Sequence, residues 1–477
     1  MQAIGTPPQV RSSSAVPALA LVVLALLVAA GTAAFGALAV LPIFGVLFFV
    51  LVVARPEYGI ALFLSTFLIT YPSTLQGAGF LTINNVLGGV FLILLTYKVY
   101  SEEDWWFLRC RELHLLAFIC LMFYLSDKLN GPDPRLLPLL GVQEHGAENM
   151  RTFITRSAFV LFFINYIRAP EHIRMIYLLA LAFMVVSAFA GIQGVLRGGG
   201  LYGYRATTQA GVIASAFNPN RLAMFAILAI AGVYYLMQAV RIPGIFLLAI
   251  PIIGVMALCV FMTASRSGLL GLGVCAAAIV IDEGLDLRRI LTFVMAGILV
   301  MALLIQLVPE KSLERITNLP GTDQGDSGVG SGSLERRSYT WEVAFEMFRD
   351  NPILGVGMGN WELARFLRDP TRSTGAPHSS YLLALVEGGI FALSGFLMLL
   401  WRTWRSIRFT EQHVMDPDFP LHSLWWIVKG AKASFLVLIF FSLFADLWQL
   451  VILFWLVGIG IVMRRLTEQT LYGEAYA

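Results

Sequence analysis

Long apolar runs are the feature that most limits what this chain can become. Residues 18–40, 173–191 and 290–308 are apolar with few interruptions. About 20 such residues in an α-helix cross a hydrocarbon layer of about 30 Å. The runs are continuous rather than alternating at every second residue, which indicates helices and not a membrane β-barrel. Composition points the same way: 58% of the chain is hydrophobic, 13% is charged, and the mean hydropathy is +0.77. A soluble domain carries about 25% charged residues, and a soluble surface would need far more charge than this chain has. The formal net charge of +3 gives no sign of nucleic acid as a partner.

The first apolar run follows Arg11 and has small residues around 29–34, like a secretory leader. It is longer than a leader's apolar stretch of about 7–15 residues and a second run follows at once, so the expectation is a first membrane helix. The cysteines at 110, 120, 259 and 275 form no CxxC and no paired spacing, which supports neither a disulfide framework nor a zinc site.

Candidate spans fall at 16–38, 40–54, 57–72, 82–100, 113–128, 155–168, 172–195, 221–240, 243–263, 267–283, 289–308, 378–402, 425–445 and 447–464. That is about 14 helices, or nearer to 12 if the short ones (40–54, 57–72, 113–128 and 155–168) are re-entrant or broken. The expected fold is therefore an all-α polytopic membrane protein, one integral domain over 1–477 with a long extracytoplasmic loop at 309–377. With the N-terminus cytoplasmic, the inner loops hold Arg55, the basic residues of 98–111, 168–174 and 402–432, Arg241, Arg288 and Arg289, and the C-terminal Arg464 and Arg465. This is the bias that the positive-inside rule describes, and it places both termini inside. The outer face then receives the Gly-rich loop 197–221, the turn Ser265-Arg266-Ser267, the segment 309–378 and the turn around Asp446. Within the long segment, 319–333 is rich in Gly, Asp and Ser and is expected to be mobile. Residues 334–349 place Trp341, Val343, Ala344 and Phe348 at helical spacing, and the stretch from Pro352 to Gly359 turns the chain back.

Several residues on that face have chemistry to offer. His378, in Ala376-Pro377-His378-Ser379-Ser380-Tyr381, can accept a proton from a hydroxyl near neutral pH; the plainer reading is an interfacial or capping residue. Glu387 follows on the same helix. Arg266 interrupts the apolar stretch 256–273. A charge there faces a cavity or a partner, or snorkels at the boundary. Its planar fork suits a diphosphate. Arg336 and Arg337 precede Trp341, where a solvated helix face is the simpler explanation. Arg205 and Arg221 flank Asn218-Pro219-Asn220, and these Asn residues suit a turn and a helix cap. Asp446 is either a partner for one of these arginines or a turn residue. No Walker A, HExxH or GxSxG string is present, so ATPase, zinc-protease and serine-hydrolase readings lack a motif. Asp416-Pro417-Asp418 falls on an inner loop and reads as a turn.

Taken in order, Asn218-Pro219-Asn220, Ser265-Arg266-Ser267-Gly268, Arg337 before Trp341, Pro352 with Gly355 to Gly359, and His378-Ser379-Ser380-Tyr381 followed by Glu387-Gly388 resemble the O-antigen ligase/polymerase superfamily of bacterial membrane proteins. The resemblance covers roughly 200–390. It implies a GT-C-like helical architecture in the inner membrane and an inverting, metal- and cofactor-independent transfer at the periplasmic face. The implied donor is a glycan on undecaprenyl diphosphate, and the implied acceptor is a glycan, lipid or protein hydroxyl. By the same resemblance, His378 is the base and Arg266 and Arg337 bind the diphosphate. Arg336, Arg221 and Arg205 add to the diphosphate site, with Asn218, Asn220, Tyr381, Glu387 and Asp446 in support. Two readings compete. A transporter or flippase would show inverted repeats and broken helices meeting at mid-membrane, and no repeat is visible. A structural subunit of an assembly complex would need no base.

Overall fold

The computed structural model describes residues 49–68, 83–131, 146–197, 206–207, 218–240, 244–284, 286–288, 291, 295, 298–299, 302, 305–317, 332–368, 377–448 and 450–473. The chain divides into two units, 1–59 and 60–477. In the first, the described residues are helical on both sides of Arg55, which pairs with Glu57 at 3.6 Å. The second holds all the chemistry discussed below. Every regular element among the described residues is helical. In order they are α1 (Pro56–Leu68), α2 (Ile83–Glu102), α3 (Arg111–Asn130), α4 (Gly146–Tyr166), α5 (Pro170–Leu196), α6 (Pro219–Ala239), α7 (Ile245–Met262), α8 (Arg266–Glu283), α9 (Glu310–Thr317), α10 (Gly332–Asp350), α11 (Trp361–Arg368), α12 (Ser380–Val414), α13 (Trp425–Phe441) and α14 (Val451–Tyr472).

Helix starts follow local chemistry. Asn218 caps α6, its side chain accepting the Asn220 N–H at 2.8 Å, and Pro219 occupies the first turn. Ser265 caps α8 by accepting from Gly268 N–H at 3.0 Å, and that helix ends at Gly284 in the left-handed region. Ser379 caps α12 by accepting from the Leu382 N–H at 3.4 Å. Apolar length does the rest. Four stretches among the described residues, Pro170–Leu196, Pro219–Ala239, Ser380–Val414 and His422–Phe441, are long and apolar enough to cross a membrane, and Ala249–Met262 is a shorter apolar helix. The chain is an all-helical, polytopic membrane protein. A helix that is apolar all round belongs in the interior, and α6 is the clearest case: it packs against α5, α7, α8 and α13, with most of its side chains buried. The similarly apolar α14 packs on α4 and α12.

Two boundaries differ from the sequence reading. The helix expected at 155–168 begins at Gly146; its first turns carry Glu148, Asn149 and Arg151, which mask it in a search for apolar runs. The helix expected to stop at 402 continues to Val414. What reads as a charged loop is an amphipathic extension that buries Thr403, Ser406, Ile407, Thr410, Glu411 and Val414 along one face. The Asp416–Asp418 string is a turn, with Asp416 accepting the Asp418 N–H at 3.0 Å. The expected helix 334–349 is α10. The span at 16–38, most of 40–54 and much of 289–308 lie outside the described residues, as do Arg205 and the segment 318–331.

Candidate active site

The site is assembled where α12 is broken. Gly389 sits inside this helix at φ 68° and ψ −168°. The break frees backbone groups that would otherwise bond within the helix, and the Gly-rich turn after α10 takes them up. Ile390 N–H donates to the Pro352 carbonyl at 2.9 Å, Val356 N–H to Val386 O at 2.9 Å, and Gly357 N–H to Glu387 O at 2.9 Å. The approach is so close that a Cβ on Gly355 would lie 2.3 Å from Val386 O, and one on Gly389 would lie 2.1 Å from Ile353 O. Both glycines are also in the left-handed region. From the other side, Ser126 donates to Glu387 O at 2.7 Å and Asn130 to Gly355 O at 3.0 Å. The buried Glu387 carboxylate accepts the backbone N–H groups of Gly359 and Trp361. The turn is thereby locked with Met358, Gly359, Trp361 and Glu362 facing a cavity.

That cavity has a volume of about 420 Å³ and is lined by His378 and Glu387 from the start of α12, by Asn218, Asn220 and Arg221 from the start of α6, by Glu148 and Asn149 from α4, and by Asp446 and Trp448 from the turn before α14. Ser380 joins two of these walls: its Oγ donates to Ala445 O at 2.8 Å and accepts the Leu447 N–H at 2.9 Å, and its carbonyl accepts from the Trp448 indole at 3.1 Å. Asn220 Oδ1 accepts from Ser265 Oγ at 2.7 Å, tying the start of α8, where Arg266 stands, to the start of α6.

His378 is a non-glycine residue in the left-handed region, φ 48°. Such a conformation costs on the order of 1–3 kcal/mol and persists where the surroundings impose it. Here Pro377, the Ser379 cap and the Ser380 anchors do so. Burial lowers the imidazole pKa below its ordinary 6.5, and the positive charges of Arg337 and Arg221 lower it further. The ring is therefore a neutral, proton-accepting imidazole at pH 7. Asp446 is raised by burial, against the pull of Arg221, the Trp448 N–H and Arg156. Arg221 also donates to the Asp446 carbonyl at 3.4 Å. Among the described residues no three His, Cys, Asp or Glu side chains gather as a metal site.

The sequence-selected residues thus separate into groups. His378, Asn218, Asn220, Arg221, Glu387 and Asp446 line one cavity, and Arg337 acts electrostatically on the His378 ring. Arg266 opens α8 beside the Ser265–Asn220 contact but is not in the cavity wall. Tyr381 is outside the wall too and donates to the Ile439 carbonyl at 3.0 Å. The Arg336 side chain and Arg205 are outside what the structure describes. Sequence reasoning missed Glu148, Asn149, Trp361, Glu362 and Trp448, which carry no distinguishing local pattern. A larger cavity of about 730 Å³ shares Met358 with the first. Phe63, Leu92, Met150, Ile154, Leu161 and Phe162 give it an apolar lining, and Asn84, Asp127, Lys128 and Arg151 add polar groups.

Residues 251–397 match the family model for O-antigen ligase, so this part of the chain is similar to the O-antigen ligase family. The match supports glycan transfer of the ligase or polymerase type in general. The matched segment contains Arg266, Arg337, His378 and Glu387, whereas Glu148, Asn218, Arg221 and Asp446 reach the cavity from outside it. No curated protein matches the chain.

Proposed function

We propose that the protein transfers a glycan from undecaprenyl diphosphate to an acceptor hydroxyl at the periplasmic face of the bacterial inner membrane, with inversion and without a metal. The observation that carries this reading is His378, held in a strained conformation with its basic nitrogen kept neutral by burial and by two guanidinium groups. The imidazole takes the proton of the acceptor hydroxyl as its oxygen bonds to the anomeric carbon. The bond from that carbon to the lipid diphosphate breaks, and its electron pair leaves on the phosphate oxygen. Arg337 and Arg221, with Arg266 at the neighbouring helix start, neutralise the charge that develops there, in the way that fixed donors stabilise a leaving group. Trp361, Trp448, Asn149, Glu148 and Glu362 offer apolar faces and hydrogen-bond acceptors suited to sugar rings. The adjoining apolar cavity suits the lipid tail.

His378→Ala should lower transfer from a polyprenyl-diphosphate-linked glycan by about 10²–10⁴, the usual worth of a general base. The purified variant, in nanodiscs, should melt like the parent because the ring is only half-buried. Transfer at the parent rate would sink the assignment.

A further inference from the structure

One cation beside the cavity plays no part in that scheme. Arg156 lies in the middle of α4, inside the apolar stretch from Phe153 to Phe163. It follows Asn149 and Phe153 at helical spacing, and so shares their face. Asn149 lines the cavity, and Phe153 packs edge-on against the cavity residue Trp448 at 5.6 Å. The Arg156 guanidinium lies over the Phe67 ring at 5.9 Å, and its Nε and Nη1 are buried without a hydrogen-bond partner. The charged groups facing it from the elements packed around it are Arg221 and Asp446, both in the cavity wall. Two guanidinium groups thus face one carboxylate, and that carboxylate is itself turned to the Trp448 N–H at 3.1 Å. Buried guanidinium donors are rarely left without an acceptor, and a charge within a membrane helix marks a ligand or a partner.

We propose that Arg156 is an anion ligand at the inner side of the cavity, sharing a phosphate oxygen with Arg221. In the donor the anion is the diphosphate; this rests on the transferase reading above. Asp446 is then the counter-ion that holds the two guanidinium groups near each other in the empty site. When a diphosphate arrives, its oxygens supply the acceptors that Nε and Nη1 lack, and the fork geometry of Arg makes the contact directional.

The test uses the purified full-length protein with inorganic diphosphate and farnesyl diphosphate as probes, and follows binding by calorimetry. Arg156→Met should weaken both about tenfold or more, the usual worth of a hydrogen bond to a charged group. Arg156→Lys, which keeps the charge and is the safeguard against misfolding, should weaken them less. Adding Asp446→Asn to Arg156→Met separates the two possible roles. If Arg156 only balances Asp446, removing both charges restores parent affinity and overturns the proposal; if it is a ligand, the double variant stays weak. Parent-like diphosphate binding by Arg156→Met also overturns it. Arg464→Gln, which removes the partner of Glu468 on α14, away from the cavity lining, is the control and should bind both probes normally. If His378→Ala transfers glycan normally while Arg156→Met has lost diphosphate, the transferase reading fails and the anion site stands.

Discussion

The two ends of one set of helices are built on opposite principles. At one end, the starts of α6, α8 and α12 and the chain leaving α13 bring together His378, Asn220, Arg221 and Asp446 around open space. At the other, these same helices end or begin in a closed ion network. Lys432 pairs with Asp282 and Glu411, Lys429 reaches Asp282 at 3.3 Å and Glu283 at 2.7 Å, and Tyr235 donates to Asp282 at 2.9 Å. Arg408 adds a contact to Glu411 at 2.7 Å. In the network each buried charge has an opposite within contact, so it fastens four helices together. Around the cavity, the side chains border open space, and the guanidinium groups of Arg221 and Arg156 share a single carboxylate, Asp446. On the proposed reading, charge at the first end serves a substrate, whereas at the second it serves the fold.

This contrast gives two variants with opposite signatures. Arg337→Gln or Arg221→Gln should lower kcat/KM for the donor by about 10²–10³, the range seen when one donor to a developing anion is removed, with little change in melting temperature. Lys432→Met should do the reverse. It strands Asp282 and Glu411 in a half-closed network and lowers stability by about 3 kcal/mol, while kcat per folded molecule stays at the parent value. Thermal unfolding in nanodiscs and single-time-point transfer assays on the same preparations check both. A Lys432→Met protein that is fully stable but slow would break the division of labour between the two ends.

How much of this was readable from the chain follows the same division. The helical membrane class came from the apolar runs, and the starts of α6 and α12 from Asn218 and the Pro377–Ser379 string, because capping is local chemistry; Ser265, read as part of a turn, caps α8 in the structure. The break at Gly389 was not readable, since Gly388 and Gly389 look like ordinary small residues in an apolar helix; it exists because the Pro352–Gly359 turn docks there. Arg221 and Asp446 were both selected, yet nothing local says that residues 225 positions apart meet. Arg156 obeys the same rule that singled out Arg266, a charge inside an apolar stretch, and could have been found by it. It was hidden by the polar first turns of α4, which made that helix look shorter than it is. Polar residues that build a site erode the very periodicity used to locate the helix that carries them.

The smallest expected effect is the most specific to the electrostatics of the cavity. Catalysis by a base requires the unprotonated ring, so activity should rise with pH through the His378 pKa and level off above it. Burial and the charges of Arg337 and Arg221 hold that pKa below the ordinary 6.5, and the acid limb of kcat should therefore lie below that value. Removing a positive neighbour makes the imidazolium easier to form, so Arg337→Gln should raise the pKa and move the acid limb to higher pH, whatever it does to the plateau. Arg337→Lys keeps the charge and should leave the limb in place even where the lost fork geometry lowers the rate. Lys432→Met, at the far end, should leave it in place too. A limb that moves to lower pH in Arg337→Gln, or moves equally in Lys432→Met, would mean that the guanidinium does not tune the base and that the two ends are not electrically separate.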